Sequence, residues 1–146
     1  MGGEIALSKV ITLKGRPAYR GKAEGYAMCC PNSIQGWAGV EAKTGKIIES
    51  GHVHEGESFD GKILVLPTSK GSCGWSGLFQ GPMDLSGIRP AGWVVKYADS
   101  KVGVAAVIVD RPMVTDFEED IFEYIEDGDF VQVDGDNGIV TITKKD

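Results

Sequence analysis

The run Lys62-Ile-Leu-Val-Leu66, halted by Pro67, constrains this chain more than any other segment. It shows no polar alternation, so a strand here must be covered on both faces, which places it inside a layered sheet. Residues 92–97 and 104–109 are two more such runs, β-branched and bounded by turn or charged residues, and both predict strands. Shorter strands are predicted at 9–13, 25–29 and 46–49, the last after the turn Lys43-Thr44-Gly45. Residues 130–133 and 139–143 flank Asp134-Gly135-Asp136-Asn137-Gly138, which has the turn chemistry of a hairpin. Thr115 with Glu118 reads as a capping box, and Phe117, Ile121, Phe122 and Ile125 recur at helical spacing, predicting a helix that Gly128 stops. A second helix is expected to begin in the glycine-rich segment after Pro67 and to run toward Leu85. The 21 glycines act as punctuation between short runs, with no repeat and no linker-like stretch, so residues 1–146 read as a single domain. The fold class is α/β and β-rich, and a layered or barrel-like sheet suits it better than a doubly wound one.

The net charge of −6 argues against nucleic acid or an anionic membrane as the main partner, because neutralising phosphates needs a basic face. The first ten residues have no basic stretch leading into an apolar one, Ala6 stands where a myristoylation start wants Ser or Thr, and no apolar run approaches a bilayer span. A cytoplasmic protein is expected. Cys29, Cys30 and Cys73 are odd in number and two are adjacent, a poor disulfide framework. No Cys-x-x-Cys pair or His–Cys spacing builds a metal site within this chain, so any cluster must come from elsewhere.

Chemistry concentrates after the buried run, in Pro67-Thr-Ser-Lys-Gly-Ser-Cys-Gly-Trp-Ser-Gly77. A strand that ends in a loop rich in Gly and Ser, with one Lys, and then enters a helix turns N–H groups and hydroxyls toward one point, which suits a carboxylate or phosphate. It is neither a P-loop, since Lys70 precedes the glycine, nor a nucleophile elbow. A purely structural connection fits the same pattern.

The ordered residues Gly21-x-Ala23-Glu24-Gly25, Trp37-x-Gly39-Val40, Thr44-Gly45, His52, Gly56-x-Ser58, Gly61-Lys62, Pro67-x-x-Lys70-Gly71-Ser72 and Ser76 resemble the small subunit of the aconitase X family. The resemblance implies an aconitase-type swivelling domain, layered β/β/α or barrel-like with flanking helices. It also implies a larger partner subunit that holds an iron–sulfur cluster, and dehydration of a small hydroxy acid, phosphomevalonate-like or hydroxyproline-like. The family's proton acceptor falls on Ser72. Serine is too weak a base in water, so Lys70 and the amides around Gly71 are expected to activate it. Lys70, Gly71, Ser76 and His52 are the candidate substrate contacts; a capping role competes for Ser72 and Ser76, a solvated lysine for Lys70 and structural hydrogen bonding for His52. The sequence departs from the family at Gly36, Ala38, Glu41-Ala42, His52-Val53-His54 and residues 90–97, on expected substrate-side loops. His54 is expected on the surface, Cys73 as a small packed residue, and Cys29-Cys30 as half core and half exposed. Trp37 and Trp75 either wall the site, meet the partner or pack in the core, and Glu118, Glu119, Asp120 and Glu123 form a solvated face. The alternative function is a non-catalytic swivelling domain that positions a partner or a phosphorylated group.

Overall fold

The computed structural model describes residues 9–35, 39–71 and 73–145, with Cys73 described by its backbone alone. The strands are β1 (Val10–Lys14), β2 (Arg16–Tyr19), β3 (Lys22–Cys29), β4 (Ile63–Leu66), β5 (Gly92–Val95), β6 (Met113–Thr115), β7 (Phe130–Asp134) and β8 (Ile139–Thr143). The helices are α1 (Gly77–Ser86), entered from a 3₁₀ turn at Cys73–Ser76, α2 (Ser100–Val109) and the short α3 (Ile121–Tyr124). The strand order is β1-β8-β7-β3-β4-β5-β6-β2. Its two ends are joined through one residue, Gly15, so the sheet rolls back on itself. A Cβ at Gly15 would lie 2.6 Å from the Thr115 carbonyl oxygen, so only glycine lets the corner close this tightly. β3 makes the second corner: Lys22–Tyr26 pair antiparallel with β7, and Ala27–Cys29 pair parallel with β4.

The parallel strands β4, β5 and β6 hold the two halves together by sending alternate side chains into two cores. Ile63, Val65, Val94 and Val114 fill the space between the sheet halves, where Leu13, Val131, Val133, Val140 and Ile142 meet them. Leu64, Leu66, Trp93, Val95 and Met113 face α1 and α2, packing with Trp75, Phe79, Val102, Ala105 and Ala106. The ring centroids of Trp75 and Trp93 each lie 4.9 Å from that of Phe79. The architecture is thus β/β/α with a barrel-like closure, as the unalternating run at Lys62–Leu66 requires.

Three expectations are corrected. Residues 104–109 are helical, not a strand. The Asp99 carboxylate accepts the Val102 N–H and starts α2, in which Val102, Ala105, Ala106 and Val109 are buried at helical spacing while Val104 and Val107 face outward. Because that outward face is apolar too, no periodicity marked the run. The helix foreseen around residues 117–125 shrinks to Ile121–Tyr124, capped by Asp120 rather than Thr115. Thr115 is committed to β6, paired with Arg16 on one side and Val95 on the other, and strand pairing overrides its capping potential. Residues 46–49 form no strand, only the isolated bridges Val40 with Ile47 and Lys46 with Ser58. The hairpin is as expected, with the Asp134 carboxylate accepting the N–H groups of Asp136 and Asn137. β2 and β6 had no sequence signal. No helix of the described residues is long and apolar enough to cross a membrane.

These packing differences predict a contrast in urea unfolding. Leu64→Ala empties a fully buried position and should cost about 2–5 kcal/mol. Val104, 48% exposed on α2, should tolerate alanine within about 0.5 kcal/mol. An equally large loss at Val104 would contradict its outward helical position.

Candidate active site

The loop after β4 emerges from the carboxyl ends of the parallel strands, and four contacts from different segments hold it. The Ser33 hydroxyl donates to the Thr68 carbonyl. The Ser69 hydroxyl donates to the Asp99 carboxylate, whose other oxygen caps α2 at 2.9 Å from the Val102 nitrogen. Lys70 Nζ pairs with Glu49 Oε2 at 3.1 Å, and Lys101 Nζ donates to the Gly71 carbonyl at 3.1 Å. Gly71 adopts φ 89°, a left-handed backbone that a side chain at this position would strain. The sequence Lys70-Gly71 thus follows from a turn that only glycine makes easily, with an ammonium held on the residue before it.

Glu49 organises this end of the molecule. Its Oε1 accepts the Gln35 N–H at 2.6 Å while Oε2 holds Lys70. Burial pushes its carboxyl up, but the Gln35 N–H and the Lys70 ammonium outweigh that and hold it below the ordinary carboxylate value. Glu49, His52, Pro31, Asn32, Gly51 and Val53 line a pocket of about 160 Å³ beside the loop. His52 Nδ1 accepts the His54 backbone N–H at 2.9 Å, so its Nε2 carries the proton and donates to the Ser33 carbonyl at 2.8 Å. Both ring nitrogens are therefore engaged in fixing loops. Lys70, Gly71 and His52 share one neighbourhood through Glu49 and Ser33. Ser76 lies at the start of α1, half-buried and with no side-chain cap bond. Ser72 and Trp37 lie outside the described residues. Trp75 is fully buried, its indole N–H donating to the Ile34 carbonyl at 2.8 Å, so it belongs to the core and not to a site wall.

Sequence reasoning missed Glu49, Ser33, Asp99 and Lys101. Asp99-Ser100 ahead of an apolar run is a helix-start signal that points to Asp99, but nothing local marks Glu49, whose partners lie 14 and 21 residues away.

His54 is a further correction. It is 8% exposed, with Nδ1 at 2.9 Å from Glu57 Oε2 and Nε2 at 2.9 Å from Asp127 Oδ1. Burial disfavours its charged form, yet the two carboxylates outweigh burial and raise its pKa. Asp127 Oδ1 also accepts the Cys29 N–H at 2.6 Å, so the His54 ring joins the 49–58 segment to the end of β3.

The described thiols do not fit an iron–sulfur cluster. Cys29 and Cys30 are both buried, one facing each core, so their sulfurs diverge, and half exposure is corrected for both. Burial, with Asp127 nearby, pushes the Cys29 thiol up to about 12, and burial raises Cys30 as well, which disfavours the thiolates a cluster requires. Among the described residues no group of three or more His, Cys, Asp or Glu side chains is placed to hold a metal ion.

The anchored Lys-Gly loop thus lies at the carboxyl ends of the parallel strands of a β/β/α domain. The aconitase X swivel domain model matches residues 12–142, and the chain belongs to that family. It is 36% identical over 135 residues to the phosphomevalonate dehydratase small subunit of Methanosarcina acetivorans, covering 92% of each chain. The corresponding subunit of Methanocella arvoryzae is 36% identical over 131 residues, covering 90% of this chain and 98% of that one. The crystal structure of Thermococcus kodakaraensis aconitase X in its holo-form superposes with a TM-score of 0.83 at 32% identity, covering 92% of this chain and 99% of that one.

The His54 geometry sets a pH dependence. Its folded pKa lies above the ordinary value, so its stabilisation is complete below that value and disappears as pH rises through the folded one. The stability difference between the wild type and His54→Gln, measured by urea unfolding, should therefore shrink as pH rises from mildly acidic to mildly alkaline. A difference that grows with pH would exclude a charged His54.

Proposed function

We propose that this chain is the small subunit of a dehydratase that removes water from a small hydroxy acid, phosphomevalonate-like or hydroxyproline-like, at a site shared with a larger subunit. The observation that carries this reading is the Lys70-Gly71 loop, pinned by Ser33, Glu49, Asp99 and Lys101 immediately ahead of Ser72. Elimination of water from a hydroxy acid needs a base at a weakly acidic C–H, whose electron pair becomes the new double bond, and an acid that takes the departing hydroxide, a role this reading leaves to the larger subunit. In this reading the Ser72 alkoxide takes that proton, and the loop amides with the Lys70 ammonium favour the alkoxide. Among the described residues, Glu49 uses one of the three N–H donors of Lys70, leaving two for a substrate carboxylate or phosphate. An iron–sulfur cluster belongs to the larger subunit in this proposal, because the Cys29 and Cys30 thiols here diverge into separate cores. The name shared by the archaeal relatives supports phosphomevalonate as the first substrate to test.

Two measurements test the proposal. Anaerobic iron–sulfur reconstitution of this chain alone should leave it colourless and inactive; a stable brown species with stoichiometric iron and sulfide would refute the two-chain arrangement. In the complex with the larger subunit, Ser72→Ala should leave assembly intact and lower kcat by about 10²–10⁴-fold, the usual cost of removing a general base. Cys73→Ala is the neighbouring control and should cost far less. Near-full kcat in Ser72→Ala would favour a non-catalytic positioning role.

A further inference from the structure

The opposite ends of the parallel strands hold a second concentration of charge. Two Arg-Pro dipeptides occupy equivalent places there: Arg89-Pro90 ahead of β5 and Arg111-Pro112 ahead of β6. A following proline restricts each arginine to extended backbone, so both side chains start from a constrained main chain. The dipeptides are stitched to the neighbouring strands, with the Arg89 carbonyl accepting the Gly61 N–H at 3.0 Å and the Pro112 carbonyl accepting the Trp93 N–H at 2.9 Å. Arg89, Arg111 and Lys22 line one pocket of about 470 Å³, with Asp60 as the one carboxylate among its described lining residues.

The chain has four arginines, and their pairing divides them. Arg16 meets Asp116 at 2.7 Å and Arg20 meets Asp110 at 3.2 Å on the surface. Arg89 and Arg111 form no ion pair among the described residues. Arg89 is half-buried and spends one N–H on the Val109 carbonyl at 3.0 Å, and its other donors are free among the described residues. Burial and the Arg89 charge pull the Arg111 pKa below its ordinary value, outweighing the opposite pull of Asp110. Like charges held together in an acidic protein are relieved most directly by a bound anion. Paired guanidinium forks match the tetrahedral oxygens of phosphate better than a point charge does.

We infer that the Lys22, Arg89 and Arg111 pocket is an oxyanion-binding site for a phosphate group, at the opposite ends of the strands from the Lys70-Gly71 loop. Free phosphate and the phosphate of an esterified metabolite share the recognising chemistry.

Arginine modification by phenylglyoxal on the full wild-type chain, read by peptide mass spectrometry, tests the site without relying on a variant to fold. Inorganic phosphate should lower labelling of Arg89 and Arg111 severalfold relative to chloride at equal ionic strength, leaving Arg16 and Arg20 unchanged. Protection by inorganic phosphate identifies the free anion as occupant; protection by glycerol phosphate alone identifies an esterified one, and either supports the site. Equal labelling of all four arginines in both arms would overturn it. So would protection of Arg89 and Arg111 that appears only on adding the larger subunit without phosphate, which would make the pocket a protein contact. A titration of Arg89→Gln/Arg111→Gln by phosphate, followed by calorimetry, should show saturable binding lost while far-UV circular dichroism is retained. Binding that persists in the folded double variant would equally overturn the assignment.

Discussion

Burial of the central parallel strands on both faces is the constraint on which the rest of this structure depends. Each residue of β4 is fully buried, with Ile63 and Val65 on one side and Leu64 and Leu66 on the other. Apolar area removed from water contributes roughly 25 cal/mol per Å², so a strand with two apolar faces is stable only between two layers. The antiparallel half of the sheet supplies one layer, and α1 with α2 supplies the other. Gly15 and β3 supply the corners that let one continuous sheet do this. Once β4, β5 and β6 run parallel, the connections after them gather at a common end, the usual place for ligands in parallel α/β sheets.

The loop at that end owes its shape to partners and not to its own sequence alone. Ser33, Glu49, Asp99 and Lys101 come from three separate stretches of chain, and each removes a degree of freedom from residues 68–71. Groups that stabilise developing charge are effective when they are already in place and need no reorganisation. Asp99 serves two elements at once, capping α2 and holding Ser69, so helix and loop are positioned together. His54 has a comparable role in the adjacent segment, tying the stretch that carries Glu49 and His52 to the end of β3.

Much of the fold was legible in the sequence for local reasons. Runs of β-branched residues, the Pro67 stop, the Asp134–Gly138 turn and the glycine at Lys70-Gly71 each report backbone preferences that tertiary structure left standing. The reading failed at one of the three apolar runs. At 104–109 the outward Val104 and Val107 erased the helical period, and the weak helix propensity of valine pointed to a strand. It failed again at Thr115, where a sound local cap signal lost to pairing with Arg16 and Val95 across the sheet. The site was half legible. Lys70 and Gly71 lie in a recognisable motif, whereas Glu49 is an ordinary glutamate until the loops meet.

By itself, then, the sequence determined a β-rich α/β class, layered or barrel-like, with its hairpin, its central strand and the Lys-Gly turn, because each follows from side chains within a few residues of one another. Only the tertiary structure decided that Glu49 holds Lys70, that His54 sits buried between Glu57 and Asp127, that Cys29 and Cys30 face separate cores, and that Arg89 and Arg111 share a pocket. Those arrangements join residues up to 73 positions apart. No local preference encodes such a distance; it is set by which strands lie side by side once both faces of the central sheet have been covered.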